Sequence, residues 1–359
     1  MAKLFNVSSS PHVRSEETTR SIMMDVAIAM LPATAFGVFQ FGLHALLVII
    51  ATVFACVVSE YVFEKVTKRT VTISDFSAVV TGMILALNCP SEIPLWIPML
   101  GGVFAIVIVK QIYGGLGQNF MNPALAARCF LLISFAGKMS AFTLDGVTTA
   151  TPLNVMKTAW KAGESNLGVD LMAMFIGKIP GTIGEVSVVA LLIGAAYLVF
   201  KKVISLRIPL TYIVTVAVFV FIFGRQDLNF VLAHIFGGGL IFGAFFMATD
   251  YVTSPITAKG QIVFGICLGI LTGLFRIFGS GAEGALVLFA RKKMEKKKAF
   301  TYGGICVAAI VVAQLPFVKN IFSMVTVPMI TFFVVGLLCI FNNALMKTKI
   351  GQQCRAVVQ

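Results

Sequence analysis

Residues 43–63 read LHALLVIIATVFACVVSEYVF, twenty-one positions with a single formal charge, Glu60. A bilayer's hydrocarbon core requires about 20 apolar residues of helix, so this stretch reads as a membrane span, and the chain around it repeats the pattern. Of 359 residues, 58% are hydrophobic and 12% charged, against about 25% charged in an average soluble domain. A water-soluble fold is excluded. The remaining charge is lopsided, 28 Lys and Arg against 15 Asp and Glu for a net of +13. In a membrane protein such an excess means basic cytoplasmic loops and no nucleic-acid partner.

Apolar runs bounded by charge or turn residues predict spans near 23–40, 43–63, 75–88, 94–113 and 123–136, then 184–200, 208–223, 230–248, 260–278 and 280–290, then 300–317 and 321–344. The expected fold class is an all-α polytopic membrane protein. The third, fifth and tenth spans are short and carry Gly, Pro or Asn at their ends, the mark of broken helices around a central site. Basic residues orient the chain. With a cytoplasmic N-terminus, Lys65, Lys68, Arg69, Lys201, Lys202, Arg207, Lys259, the cluster 291–298, Lys347, Lys349 and Arg355 fall inside. The sparser Lys138, Lys157, Lys161, Lys178, Arg225, Arg276 and Lys319 fall outside. The first twenty residues are polar and lack a signal-peptide pattern, so they read as a retained cytoplasmic tail.

The expected organisation is a tail (1–22), a first five-span repeat (23–136), an outer hydrophilic loop (137–183), a second five-span repeat (184–290) and a basic linker with an apolar extension of about two segments (291–359). The repeat rests on ordered likeness. Thr81-Gly82-Met83 aligns with Phe242-Gly243-Ala244, and Ile112-Tyr113-Gly114-Gly115 with Ile277-Phe278-Gly279-Ser280. Five is odd, so the second unit enters from the opposite side and the repeats are inverted.

Chemistry has few carriers. Seven cysteines show no CxxC spacing, and three histidines lie far apart; both sets read as structural. In the outer loop, Asp145-Gly146-Val147-Thr148-Thr149-Ala150-Thr151-Pro152-Leu153 ends on a threonine that the following proline holds extended. It is a polar turn, or a hydroxyl exposed for an enzyme. Asn119, Asn122 and Pro123 follow a Gly-rich bend before a short helix, and serve as caps or as amides for a flavin or ion. Arg128, in an apolar segment, should meet a carboxylate, a phosphate or carbonyls. Glu185, Thr249 and Asp250 are oxygen ligands suited to a passing cation; Asp250 also suits a helix cap. Glu283 stands opposite Gln118 in the repeat.

Four ordered motifs carry a family resemblance: Gly114 to Leu125, Asp145 to Leu153, Gly181-Thr182-Ile183-Gly184-Glu185-Val186-Ser187, and Gly243 to Asp250. The sequence resembles the D subunits of the Rnf complex, an ion-pumping ferredoxin:NAD oxidoreductase, and at lower identity the B subunits of the sodium-pumping NADH:quinone oxidoreductase. The resemblance implies FMN joined through its phosphate to Thr151, with Asp145, Thr148, Thr149 and Ala150 completing the motif. The family's usual glycine is replaced here by Thr149. It implies a flavin transferase acting on FAD with release of AMP, partner subunits of the complex, Na+ or H+ translocation, and a second, non-covalent flavin (riboflavin). Phe142 and Trp160 are candidates to pack on the ring or to anchor the loop. The likeness fades after about Leu288, where the expected last helix gives way to the basic run. The other readings are an inverted-repeat transporter or channel for a small solute, and a structural anchor for redox partners. The Asp145–Thr151 motif separates them, since a solute carrier has no use for it.

Overall fold

Thr18 opens the first helix by accepting a hydrogen bond from Ser21 N, while its own N–H donates to the Ser21 hydroxyl. This reciprocal cap satisfies two of the orphan donors at a helix start. The computed structural model describes residues 17–119, 121–144, 147–162, 168–224 and 226–278. The expected extension (291–359), the tenth span, Glu283, Asp145 and most of the N-terminal tail lie outside the described residues. Helix α1 (Thr19–Phe41) and α2 (Leu43–Val66) have 23 and 24 residues, each enough to cross a bilayer. They are joined through Gly42 alone, whose φ of 75° is open to glycine.

The third expected span is the short α3 (Ser77–Leu87), in which ten of eleven residues are buried. It is an interior element, where lipid-facing length is not required. Helix α4 (Trp96–Val103) widens into a π-helical segment, Phe104–Gln111, and α5 (Pro123–Ser134) follows the Gly-rich bend. Apart from Leu132–Ala136, the described residues form one compact unit. The hydrophilic loop has structure of its own. After the single turn α6 (Ala136–Met139), strands β1 (Thr143–Leu144) and β2 (Val147–Thr148) pair antiparallel in register Thr143 with Thr148 and Leu144 with Val147. Apart from this small hairpin the named elements are helical, as expected. Two helices follow, α7 (Pro152–Ala162) and α8 (Leu171–Ile176).

The second series comprises α9 (Val188–Phe200), α10 (Arg207–Phe223), α11 (Leu228–Phe236), α12 (Leu240–Phe242), which runs on as a π segment to Met247, and α13 (Ala258–Phe278). The eighth expected span, 230–248, is therefore two pieces bent by 61°. The fifth is a helix of 12 residues, short as expected. Gly237-Gly238-Gly239 carries the bend, with φ of 68° and 64° at the last two.

Small residues set the packing. On α13, Gly265, Gly269 and Gly273 lie four apart and face Thr211, Thr215 and Phe219 of α10; a Cβ at Gly269 would stand 2.5 Å from Thr215 Cβ. Glycines at this spacing let two backbones approach where lipid offers no hydrophobic drive. Gly82 of α3 and Gly102 of α4 meet Cys56 of α2 in the same way. Replacing Gly269 with Leu should destabilise the protein by about 1–3 kcal/mol through overpacking, read as a lower unfolding midpoint in detergent, while Val263→Leu on the exposed face should leave it unchanged.

Candidate functional site

Helix α3 stops inside the protein, and its last carbonyls find partners far along the chain. Leu87 O accepts from Gly184 N at 2.8 Å and Cys89 O from Ile183 N at 3.0 Å, with Pro90 and Thr182 bridged antiparallel. Asn88 turns its amide back to Ile84 O at 2.7 Å. Its Oδ1 accepts from Arg128 Nη1 at 2.7 Å. Arg128 thus meets a neutral amide here, not the carboxylate, phosphate or carbonyl row expected from its charge. Gly184 is required: a Cβ there would lie 2.5 Å from Leu87 Cβ.

The same segment reaches the second break. Glu185 is cradled by two glycines, a Cβ at Gly239 falling 2.9 Å from Oε2 and one at Gly181 falling 3.2 Å from Oε1. Its carboxylate has no hydrogen-bond partner among the described residues, and it stands where α12 begins, the end at which a helix dipole favours negative charge. The end of α11 is held from α13. Arg276 donates to His234 O and, at 3.1 Å each, to Gly237 O and Gly238 O. Arg276, expected in an outer connection, is 5% exposed. A buried cation spread over three carbonyls satisfies groups that lipid would leave bare.

Asn122 caps α5, its Oδ1 accepting from Ala124 N at 3.0 Å and Leu125 N at 3.3 Å, and its amide donates to Asp250 Oδ2 at 3.4 Å. Asp250 also accepts from Thr253 Oγ1 at 3.0 Å and Val252 N at 3.3 Å. Asn119 donates to Met121 O at 2.9 Å, and Thr249 to Phe245 O at 2.7 Å. Asn122 and Asp250 therefore form one group. Glu185 belongs to another, at the opposite end of the 240–247 piece, about 12 Å away by helical rise.

Thr151 immediately precedes α7. Its carbonyl accepts from Asn154 N at 2.9 Å and Val155 N at 3.1 Å, which makes it the N-cap, with Pro152 in the first helical position that proline favours. Thr149 and Ala150 are exposed and Thr151 half-buried; Thr149 N donates to Phe142 O at 3.0 Å. Thr148 pairs with Thr143 in the hairpin. Trp160 packs on Phe230 of α11, ring centroids 6.2 Å apart, so it anchors the loop to the protein.

One cluster escaped sequence reasoning. Lys110 and Glu60 form an ion pair at 2.5 Å, 2% and 0% exposed. Lys110 also donates to Ser77 Oγ at 2.6 Å, and Gln111 to Glu60 at 2.8 Å and Glu64 at 3.2 Å. The signal was present, since each is a lone charge in a predicted span, but the partners lie fifty positions apart. The π segment places Lys110 and Gln111 side by side on α2.

Buried charges, bent helices and carbonyls capped across the chain define a polytopic membrane protein of the broken-helix kind. The chain belongs to the NQR2, RnfD, RnfE family, matched over residues 6–290. It is 48% identical over 284 residues, 77% of this chain and 87% of the relative, to the D subunit of the Na(+)-translocating ferredoxin:NAD(+) oxidoreductase complex of Acetobacterium woodii. It is 44% identical over 297 residues, 78% and 89% of the two chains, to the D subunit of the proton-translocating ferredoxin:NAD(+) oxidoreductase complex of Clostridium ljungdahlii. With the D subunit of the ion-translocating oxidoreductase complex of Actinobacillus succinogenes it shares 34% over 324 residues, 78% and 91%.

Lys110→Met should cost about 3–5 kcal/mol by stranding a buried carboxylate. Adding Glu60→Gln should restore part of that loss, measured as a double-mutant cycle of denaturant unfolding in detergent.

Proposed function

We propose that the chain is the membrane D subunit of an ion-translocating ferredoxin:NAD oxidoreductase complex, carrying FMN on Thr151 and passing Na+ or H+ across the membrane as electrons move through the complex. The relatives' names support the complex and the coupling. The placement of Thr151 supports the attachment site. Its hydroxyl stands at the start of an eleven-residue helix, the end at which the helix dipole favours a phosphate. Exposed small residues on its N-terminal side leave a transferase room to approach.

In the attachment step, Thr151 Oγ would bond to the flavin-side phosphorus of FAD while the pyrophosphate bond breaks. AMP leaves, and the hydroxyl proton passes to the transferase or to water. Bound FMN supplies reversible electron transfer. The chain's own part is to hold the phosphate at the α7 N-terminus and to keep the loop docked through Trp160 and Phe230. Asn119, Asn122 and Arg128 are the candidates to contact a flavin, and the family resemblance implies a second, non-covalent one.

For the cation, Glu185 is a carboxylate in a glycine cradle at a helix start, and Asp250 with Thr249 offers oxygens at the other end of the same piece. Relatives named for Na+ and for H+ stand at nearly equal identity, so a dehydrated cation and a proton are both served by such carboxylates. Two inverted five-span repeats are supported by the packing of α1 on α9 and by the recurrence of the α2–α4 contact as α10–α13. Basic residues after α2 and α9 support a cytoplasmic N-terminus and an outer flavin loop.

Co-expression with a flavin transferase should give a fluorescent band on a denaturing gel, lost in Thr151→Val and kept in Thr151→Ser; a band that survives Thr151→Val overturns the assignment. In reconstituted complex, Glu185→Gln and Asp250→Asn should each lower cation transport per electron. Unchanged cation dependence in both would remove these residues from the path.

A further inference from the structure

Two contacts fix how the loop helix lies on the broken span, and one electrostatic interaction agrees with them. Leu153 faces Gly237, where a Cβ would be 3.5 Å from Leu153 Cγ. Lys157 lies within electrostatic reach of His234, and Trp160 packs on Phe230. Numbers rise along α7 as they fall along α11, so the two helices run antiparallel. Residues 153, 157 and 160 form one stripe at helical spacing. The antiparallel register brings the N-terminal end of α7, with Thr151, to the C-terminal end of α11, where the bend is. Met174 of α8 closes on the same point, 2.9 Å from a Cβ at Gly237. From the other side, Arg276 grips the carbonyls of Gly237 and Gly238, and Glu185 abuts Gly239.

We propose that α7 seats the group carried by Thr151 against the bend between α11 and α12, with Leu153 and Trp160 as positioning residues, so that a change of charge on that group is felt at the bend and at Glu185. The inference rests on Thr151 as the flavin site and adds to it a route from the redox centre to the cation path. Thr151 is half-buried, and charges there are screened less than at a fully wetted surface. The bend presents aligned carbonyls, a guanidinium and a carboxylate, groups that respond to a nearby change of charge. Trp160 and Leu153 carry no charge of their own. They act only by holding α7 in place.

The test uses the whole complex with its flavin, as isolated and after chemical reduction with dithionite. Backbone hydrogen exchange is followed in peptides covering residues 228–247, alongside in-gel flavin fluorescence and cations moved per electron. In the wild type, exchange around Gly237 to Gly239 should differ between the two redox states. Trp160→Ala should keep the fluorescent band, lose that difference and lower the cation yield per electron, and Trp160→Phe should recover both. If Trp160→Ala fails to take up flavin, Leu153→Ala serves in its place. A redox-dependent difference that persists in flavin-loaded Trp160→Ala or Leu153→Ala, or in Thr151→Val, overturns the proposal, as does a wild type without one. Absence of the fluorescent band from the wild type would instead overturn the flavin assignment itself.

Discussion

A helix that ends within a bilayer leaves carbonyls and N–H groups that no water will take, and each costs several kcal/mol if left bare. The interior of this protein is arranged around that constraint. Two helices, α3 and α11, stop short, and both ends are satisfied by residues distant in sequence. At α3 the donors are backbone N–H groups of Ile183 and Gly184; at α11 they come from the side chain of Arg276. The stretch 181–187 serves both breaks, capping α3 with its backbone and setting the Glu185 carboxylate against Gly239, where α12 begins. A chain segment with two such tasks has little freedom to change, and Gly181 and Gly184 are small because neighbours occupy the space a side chain would need.

The buried pair Lys110–Glu60 answers a related constraint. A lone charge in the interior would be strongly destabilising, whereas a pair with further hydrogen bonds to Ser77 and Gln111 can be held. The wider turn of the π segment is what brings adjacent residues Lys110 and Gln111 onto one carboxylate. Segments of this kind recur at functional sites. A second π segment among the described residues, Gly243–Met247, lies between Glu185 and Asp250.

Most spans are legible in the sequence because burial in lipid demands apolar residues one by one. The ends of α1, α2, α10 and α13, and of α4 taken together with its π segment, fall within a few residues of the expected runs. The bend at Gly237 is not legible, since a glycine triplet inside an apolar run serves equally for close packing. What turns it into a break is Arg276, thirty-nine positions away. The loop reads as polar, although Leu153, Met156 and Trp160 stand at helical spacing; the partners of Leu153 and Trp160, Gly237 and Phe230, become visible only in three dimensions. Thr151 stands out through its motif, while its role as the N-cap of α7 follows from the hydrogen bonds to Asn154 and Val155. Asn122 and Asp250 each stand out alone, and nothing in local spacing could show that they bond to each other.

The capping of α3 from 183–184 also bears on how the protein is made. Synthesis delivers α3 to the membrane long before Ile183 and Gly184 leave the ribosome, so during that interval the carbonyls of Leu87 and Cys89 lack their final partners. The first series of helices is therefore incomplete as an independent unit, however apolar its spans. It reaches its finished state only when the hydrophilic loop has been laid down and the start of the second series returns to close it. Assembly of the first series is in this sense spread along the chain.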